Sequence, residues 1–334
     1  MILAVVMPLA KPMFPWVGGK EKLIPYVKQI LPTDMKIYVE PFGGSGAMLL
    51  ALPPDLGRLD IYNDLDSELS NFFLCVRERP LALMRELDFC FLHSRVIFDA
   101  LKNFLEQKES YQQFAEEELE CLNDRSMFTE EQARNLWPIL QERKKLFDVK
   151  RAAAFYYSVR GSFSGTRSSF GVKSCDPGRF LHLISLASKR LKDVVVENKP
   201  ANRLIYERDG PDTCFYLDPP YWSTEKAYLV VNKKSRQYHF HVRLWQMVQK
   251  CVGRVILSYN DCEEIRKLYH DNFYILAFQR GNPLAKQKDA EFGELLITNY
   301  DPRPYMQGQV TLFDAAEDKY DMELVNIPKH PIKQ

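Results

Sequence analysis

A chain of 334 residues with 46% hydrophobic content can bury one large core or two moderate ones, which excludes a disordered or fibrous protein. Its formal net charge of +1 gives no whole-molecule attraction to nucleic acid, so a partner of that kind must be held by local clusters of charge. Seven cysteines without a CxxC pair suggest neither a zinc site nor a disulfide framework; no metal is expected, and a reducing cytosol suits them.

The opening MILAVVMPLA is apolar, but no basic stretch precedes it and Lys11 and Pro12 follow at once. It reads as an extra strand or a loose end rather than a signal peptide or membrane anchor. Residues 36–66 then change type in a regular order. Ile37, Tyr38 and Val39 form a predicted strand, Gly43, Gly44 and Gly46 a turn, 47–52 a helix, and 59–62 a second strand ahead of Asn63 and Asp64. This is a βαβ unit. Residues 67 to about 150 carry a helical pattern with no strand run of similar quality. Strands return at 214–217, 255–258, 274–278 and 295–298, with a helix expected over 242–252. The α/β core is therefore expected in two pieces, 11–66 and 191–302, around an inserted, mainly helical domain at 67–190, with a polar appendage at 303–334.

In Glu40-Pro41-Phe42-Gly43-Gly44-Ser45-Gly46 the glycines follow a strand and open a helix. Backbone can approach a ligand closely there, and helix N-terminal amides can face a carboxylate. Asp64 stands about 20 residues further on at a strand end, where an acid can accept hydrogen bonds from ribose hydroxyls. These features imply a nucleoside cofactor, and alone they fit a nicotinamide oxidoreductase equally well.

Asp218-Pro219-Pro220-Tyr221, which ends the apolar run Phe215, Tyr216 and Leu217, narrows the chemistry. The lone pair of adenine's exocyclic amine is delocalised into the ring, so the amine attacks poorly until acceptors hold its hydrogens. The Asp218 carboxylate can take one, and the Pro219 carbonyl, directed by two successive prolines, the other. Tyr221 offers an aromatic face to a base swung out of a duplex. A short motif of this kind is also an ordinary turn after a strand. Two basic clusters accompany it: Lys226, Lys233, Lys234, Arg236 and Arg243, with no acid among them, and Arg160, Arg167, Lys173, Arg179, Lys189, Arg190 and Lys192. Both suit phosphates, and both suit a solvated surface.

Taken in order, these segments resemble the Dam-type (class alpha) adenine-specific DNA methyltransferases over nearly the whole chain. Phe14-Pro15-Trp16-Val17-Gly18-Gly19-Lys20 is similar to that family's FxWxGGK start, residues 40–46 to its cofactor loop, and Asn63-Asp64 to its ribose-binding acid. Residues 218–221 are similar to its catalytic motif, Leu257-Ser258-Tyr259-Asn260 to the following strand end, and Glu294-Leu295-Leu296 with Tyr300 to its late strand. The resemblance implies a Rossmann-like methyltransferase core with an inserted helical target-recognition domain. The implied reaction moves a methyl group from S-adenosylmethionine to the N6 amine of adenine in double-stranded DNA by base flipping. Asp218, Pro219, Pro220 and Tyr221 would be catalytic. Trp16, Lys20, Glu40, Phe42, Gly43, Gly44, Gly46, Asp64 and Asp218 would hold the cofactor.

The family's RGxFN hairpin has a partial counterpart in the loop 160–173, where Ser164 replaces asparagine and the later proline is missing. It implies DNA contacts by Arg160, Phe163 and Arg167, to which Lys233, Lys234 and Arg236 add expected phosphate contacts. RNA or a protein glutamine amide is the alternative substrate, and a non-catalytic DNA-binding or cofactor-binding remnant the alternative role. Aspartate at the first motif position favours adenine, and an undamaged motif favours turnover. Gln309, Val310, Thr311, Leu312 and Phe313 resemble the short peptide that binds the bacterial sliding clamp, with Val in place of Leu. A cytoplasmic, bacterial or phage-encoded enzyme on nucleoid DNA is the setting these resemblances imply.

Overall fold

A computed structural model describes residues 10–16, 20–89, 95–106, 121–122, 128–146, 148–162, 165, 167, 170–171, 178–222, 233–281, 291–306 and 322–332. It opens with a 3-10 turn at Lys20–Leu23, α1 (Ile24–Ile30), β1 (Ile37–Glu40), α2 (Ala47–Ala51) and β2 (Leu59–Asn63). Helices α3 (Ser67–Glu78), α4 (Pro80–Phe89), α5 (Arg95–Glu106), α6 (Glu130–Leu146), α7 (Val149–Arg160) and α8 (Gly178–Leu191) follow. The remainder alternates: β3 (Val194–Glu197), α9 (Ala201–Arg208), β4 (Thr213–Leu217), α10 (Lys233–Val248), β5 (Arg254–Asn260) and α11 (Glu263–Tyr269). The last elements are β6 (Tyr274–Gly281), β7 (Glu291–Thr298), α12 (Arg303–Met306) and β8 (Glu323–Asn326). Among the described residues no helix is long and apolar enough to cross a membrane.

The chain divides into two compact units. The first comprises Met1–Gly19, Gly44–Pro54 and Asp66–Asn198, the second Lys20–Gly43, Asp55–Leu65 and Lys199–Gln334.

In the second unit the strands run in the order β2-β1-β4-β5-β7-β6-β8. β1 pairs in parallel with β2 and β4, and β4 with β5, in register Val39 opposite Phe215 and Leu217 opposite Leu257. β4 and β5 are buried at every position, as expected of parallel strands covered on both faces, and their unbroken apolar runs are what made them legible. β7 enters antiparallel between β5 and β6, opposing Asn260 with Glu294 and Phe278 with the same Glu294 across its other edge. β2 and β4 pair with opposite edges of β1, so the strand order reverses there and the carboxyl ends of β1 and β4 flank the topological switch point at which α/β sheets bind ligands.

In the first unit α3 and α7 form the centre. Asp66 caps α3, accepting from the Glu68 and Leu69 amides at 3.0 and 3.4 Å, and Asp148 caps α7, accepting from the Arg151 amide at 3.0 Å. Asn71 ties the two together: its Oδ1 accepts from the Asp148 amide and its Nδ2 donates to the Asp148 carbonyl, both at 2.9 Å. Phe72 stacks on Tyr156 with centroids 5.6 Å apart, and buried Arg151 is neutralised by Glu68. β3 belongs here as well, its Val194 carbonyl accepting from Arg77 Nη1 at 2.7 Å.

All six predicted strands lie inside strands that form, and helices follow Ser67 as expected. Three differences have local causes. The helix expected over 242–252 starts at Lys233 and ends at Val248, because a basic, polar first turn gives no apolar periodicity to read. β3 is a run of only four residues directly after a helix. β8 lies in what read as a polar appendage; its pairing with β6 (Leu324 opposite Leu276) supplies the order that its own sequence does not advertise. The opening residues 1–9 lie outside the described residues.

Candidate active site

The site in the second unit is built from strand ends. Asp218 follows β4, Glu40 ends β1, Asn63 ends β2 and Asp64 follows it, and Ser258 and Asn260 lie near the end of β5. Asn63 is fully buried and makes three bonds: Nδ2 donates to the Pro41 carbonyl at 2.9 Å and to the Lys199 carbonyl at 3.0 Å, and Oδ1 accepts from the Lys199 amide at 2.9 Å. It therefore fixes the turn that follows β1. The Gly43 amide donates to the Asn63 carbonyl at 2.7 Å, which brings the backbone so close to Tyr62 that a Cβ there would lie 2.3 Å from the ring. No side chain fits. Phe42 is half-buried with its ring 6.4 Å from that of Phe240, and Asp64 is half-buried at the mouth of the turn. Glu40 is buried and accepts from Tyr38 Oη at 2.8 Å; burial first, and then this carboxylate, push the Tyr38 phenol far above its ordinary pKa.

Asp218 receives two donors on one oxygen. Lys20 Nζ lies 2.6 Å from Oδ1, and Ser258 Oγ donates to Oδ1 at 2.7 Å. Among the described residues, both of these contacts fall on Oδ1 rather than Oδ2. Lys20 also donates to Tyr221 Oη, with its ammonium 3.7 Å from the ring centroid, a cation over an aromatic face. Tyr221 in turn donates to Glu294 Oε2 at 2.7 Å. Tyr221 is 7% exposed and Glu294 fully buried, so the hydroxyl sits inside the protein between an ammonium and a carboxylate. Burial, then the Asp218 and Glu294 charges, hold the Tyr221 phenol protonated by raising its pKa far above the usual value. Pro219 is buried and Pro220 exposed.

Next to this motif Trp222 packs 5.1 Å from the buried His241 ring, whose Nδ1 shares a hydrogen bond with Tyr259 Oη at 3.0 Å. Burial lowers the His241 pKa to about 4, so this imidazole is neutral at physiological pH.

In the first unit Gly44 is left-handed (φ 51°) and stands so close to the half-buried Trp16 that a Cβ would lie 3.0 Å from the indole. Gly46, also left-handed (φ 66°), is the N-cap of α2. Beyond α7 the expected hairpin is closed by an antiparallel bridge between Ser162 and Phe170. Its arginines are engaged within the unit. Arg167 Nη2 contacts Asp66 Oδ2 at 2.6 Å and its guanidinium lies over Phe155 (5.1 Å) and Trp16 (6.0 Å), while Arg160 donates to the Met13 carbonyl and lies over Tyr156 at 5.5 Å. Phe163 and the segment Gln309, Val310, Thr311, Leu312, Phe313 lie outside the described residues. Lys233, Lys234 and Arg236 stand on the first turns of α10.

In sequence, Ser258 and Glu294 are parts of family motifs with no task attached to either. The usable signal is Glu294 itself, an acid beside the apolar run Leu295, Leu296, Ile297, which no buried strand carries without a partner.

The parallel strand ends of this sheet carry a glycine turn, an acid and an Asp-Pro-Pro-Tyr motif, an arrangement that fits an α/β transferase. The family model for D12 class N6 adenine-specific DNA methyltransferases matches residues 16–280, more than half the chain. The chain belongs to that family. It is 24% identical to the Type II methyltransferase M1.LlaDCHI of Lactococcus lactis subsp. cremoris over 309 residues, covering 87% of this chain and 95% of that protein. The protein is thus an adenine-specific DNA methyltransferase with a Rossmann-like core; its substrate is DNA, and its reaction consumes a methyl donor.

Proposed function

We propose that this chain is the modification enzyme of a restriction–modification system, methylating adenine N6 at a specific duplex site with S-adenosylmethionine as donor. The carrying observation is the asymmetric Asp218 carboxylate, whose Oδ1 is occupied by Lys20 and Ser258 and whose Oδ2 is left to accept from an amine. Oδ2 takes one N6 hydrogen and the Pro219 carbonyl the other, which frees the nitrogen lone pair to attack. As N6 gains the methyl group it gives up one proton, which the Oδ2 already holding an N6 hydrogen can accept. The target base is flipped out of the duplex against Tyr221.

The glycine turn fits the donor: Gly43 and Gly44 leave no room for a Cβ against Tyr62 and Trp16, and Asp64 offers a partly exposed carboxylate to ribose hydroxyls. When bound, S-adenosylmethionine supplies an electrophilic methyl group. Lys20, Glu40, Phe42, Gly43, Asp64 and Asp218 are the residues proposed to hold it, and the family resemblance adds Trp16, Gly44 and Gly46. The segment 67–190, with its hairpin, is the assigned reader of the DNA site through Arg160, Phe163 and Arg167, and Lys233, Lys234 and Arg236 hold phosphates. Residues 309–313 dock on a sliding clamp, which would deliver the enzyme to newly copied DNA in a bacterial cytoplasm.

Mapping methylated adenines in DNA from cells producing this chain, beside cells producing Asp218→Ala, tests the reading. One recurrent sequence with N6-methyladenine, absent with the variant, is expected. Retention of more than about a tenth of the wild-type rate by Asp218→Ala, a barrier change under about 1.4 kcal/mol, overturns the catalytic assignment.

A further inference from the structure

We infer that Glu294 is a positioning residue for methyl transfer, acting through the Tyr221 hydroxyl to hold the ring and the Lys20 ammonium in place beside Asp218. The inference rests on the assignment of Asp218 and Tyr221 to the reacting centre.

Glu294 lies on β7, paired on one edge with Asn260 of β5 and on the other with Phe278 of β6, so its backbone is fixed by two neighbouring strands. Its side chain is fully buried, and Oε2 accepts from Tyr221 Oη at 2.7 Å. The same hydroxyl accepts from Lys20 Nζ, so its hydrogen is committed to Glu294 and its lone pair to the ammonium. Three charges then alternate along one line of bonds: Asp218 negative, Lys20 positive, Glu294 negative, with Tyr221 between the last two. A buried carboxylate is costly to desolvate and is retained where its bonds fix a geometry. Without it the Tyr221 hydroxyl loses the Glu294 carboxylate and the ring can tilt about its Cα–Cβ bond, while Lys20 shifts toward Asp218 alone. Displacements of about an ångström in such a constellation cost rate far more than affinity.

The test is a double-mutant cycle on the full chain, with a duplex carrying the mapped site. Single-turnover methylation is measured alongside dissociation constants for duplex and S-adenosylmethionine and the fluorescence of 2-aminopurine at the target position. Glu294→Ala and Tyr221→Phe should each slow single turnover at least tenfold with both dissociation constants changed less than threefold. Glu294→Gln, whose amide oxygen can still accept from the hydroxyl, should recover most of the rate. The double variant Glu294→Ala with Tyr221→Phe should be no more than about twofold slower than the slower single variant, and both singles should alter the 2-aminopurine signal alike. Multiplying losses in the double variant, or a loss confined to the dissociation constants, overturns the inference. Should Glu294→Ala fail to fold, Tyr221→Phe with Glu294 intact decides, since an unchanged rate there also overturns it. Asp218→Ala, measured in parallel, separates the two failures: an active Asp218→Ala removes the site assignment, whereas an inactive one beside additive Glu294 and Tyr221 losses removes only the role of Glu294.

Discussion

Lys20 and Asp218, 198 positions apart in sequence, form an ion pair of 2.6 Å with side chains only 12% and 16% exposed. The ammonium sits against the carboxylate's first oxygen, which orders the acid before any substrate arrives. At this degree of burial the pair has paid much of its desolvation cost, and removing one member strands the other.

Lys20→Met is therefore expected to destabilise the fold by on the order of 2 kcal/mol, between the values for exposed and fully buried pairs. Adding Asp218→Asn to it should restore part of that loss, because the stranded charge goes with it. Urea unfolding of wild type and the two variants measures both steps. Equal stability of Lys20→Met and wild type would mean the pair contributes nothing to the fold.

Asp64→Ala should weaken binding of S-adenosylmethionine about tenfold or more, the worth of a charged hydrogen bond to ribose hydroxyls, while the maximal rate partly recovers at high cofactor. Titration calorimetry on the DNA-free protein reads this directly. An unchanged dissociation constant would remove Asp64 from the cofactor site.

Replacing Lys233, Lys234 and Arg236 by Ala should weaken duplex binding without moving the methylated sequence. The salt dependence of log affinity should flatten by roughly 0.9 for each phosphate that is no longer neutralised. Unchanged affinity with a shifted methylation site would make this turn a base reader instead.

His241 gives a pH signature. Its folded pKa, about 4, lies below the ordinary histidine value of 6.5, so the native state resists taking the proton that the unfolded chain accepts. Its contribution is intact above pH 6.5 and is lost progressively as pH falls from 6.5 toward 4. The melting temperature of wild type should drop more steeply over that window than that of His241→Phe. Parallel curves would place the effect in other groups.

The parts of the fold that were legible were those written in local pattern. The unbroken apolar runs of β4 and β5 and the glycines after β1 each declare themselves within a few residues. The six strands visible in sequence needed no tertiary information. β8 did, since Glu323–Asn326 is a strand only because β6 offers it an edge. Among the proposed site residues, Asp218 and Asp64 stand out in sequence because motif spacing carries them. What the spacing could not supply was which oxygen of Asp218 is occupied, that Tyr221 is buried between Lys20 and Glu294, or that Arg167 already has Asp66 as a partner. Those are pairings between residues 40 to 201 positions apart, and nothing in a local window encodes them.

The order of β7 in the sheet sets a condition on synthesis. β7 lies between β5 and β6, yet β6 precedes it in the chain, so a growing polypeptide makes both walls of the slot before the strand that fills it. Glu294 rides on that strand. A ribosome that has reached Arg280 has already delivered Lys20, Asp218, Tyr221 and Ser258, but the Tyr221 hydroxyl lacks its Glu294 acceptor until β7 emerges and inserts. Every amino-terminal fragment ending before Glu294 lacks the closing bond, so assembly of the network is tied to translation past β7 rather than to the folding of the segments that precede it.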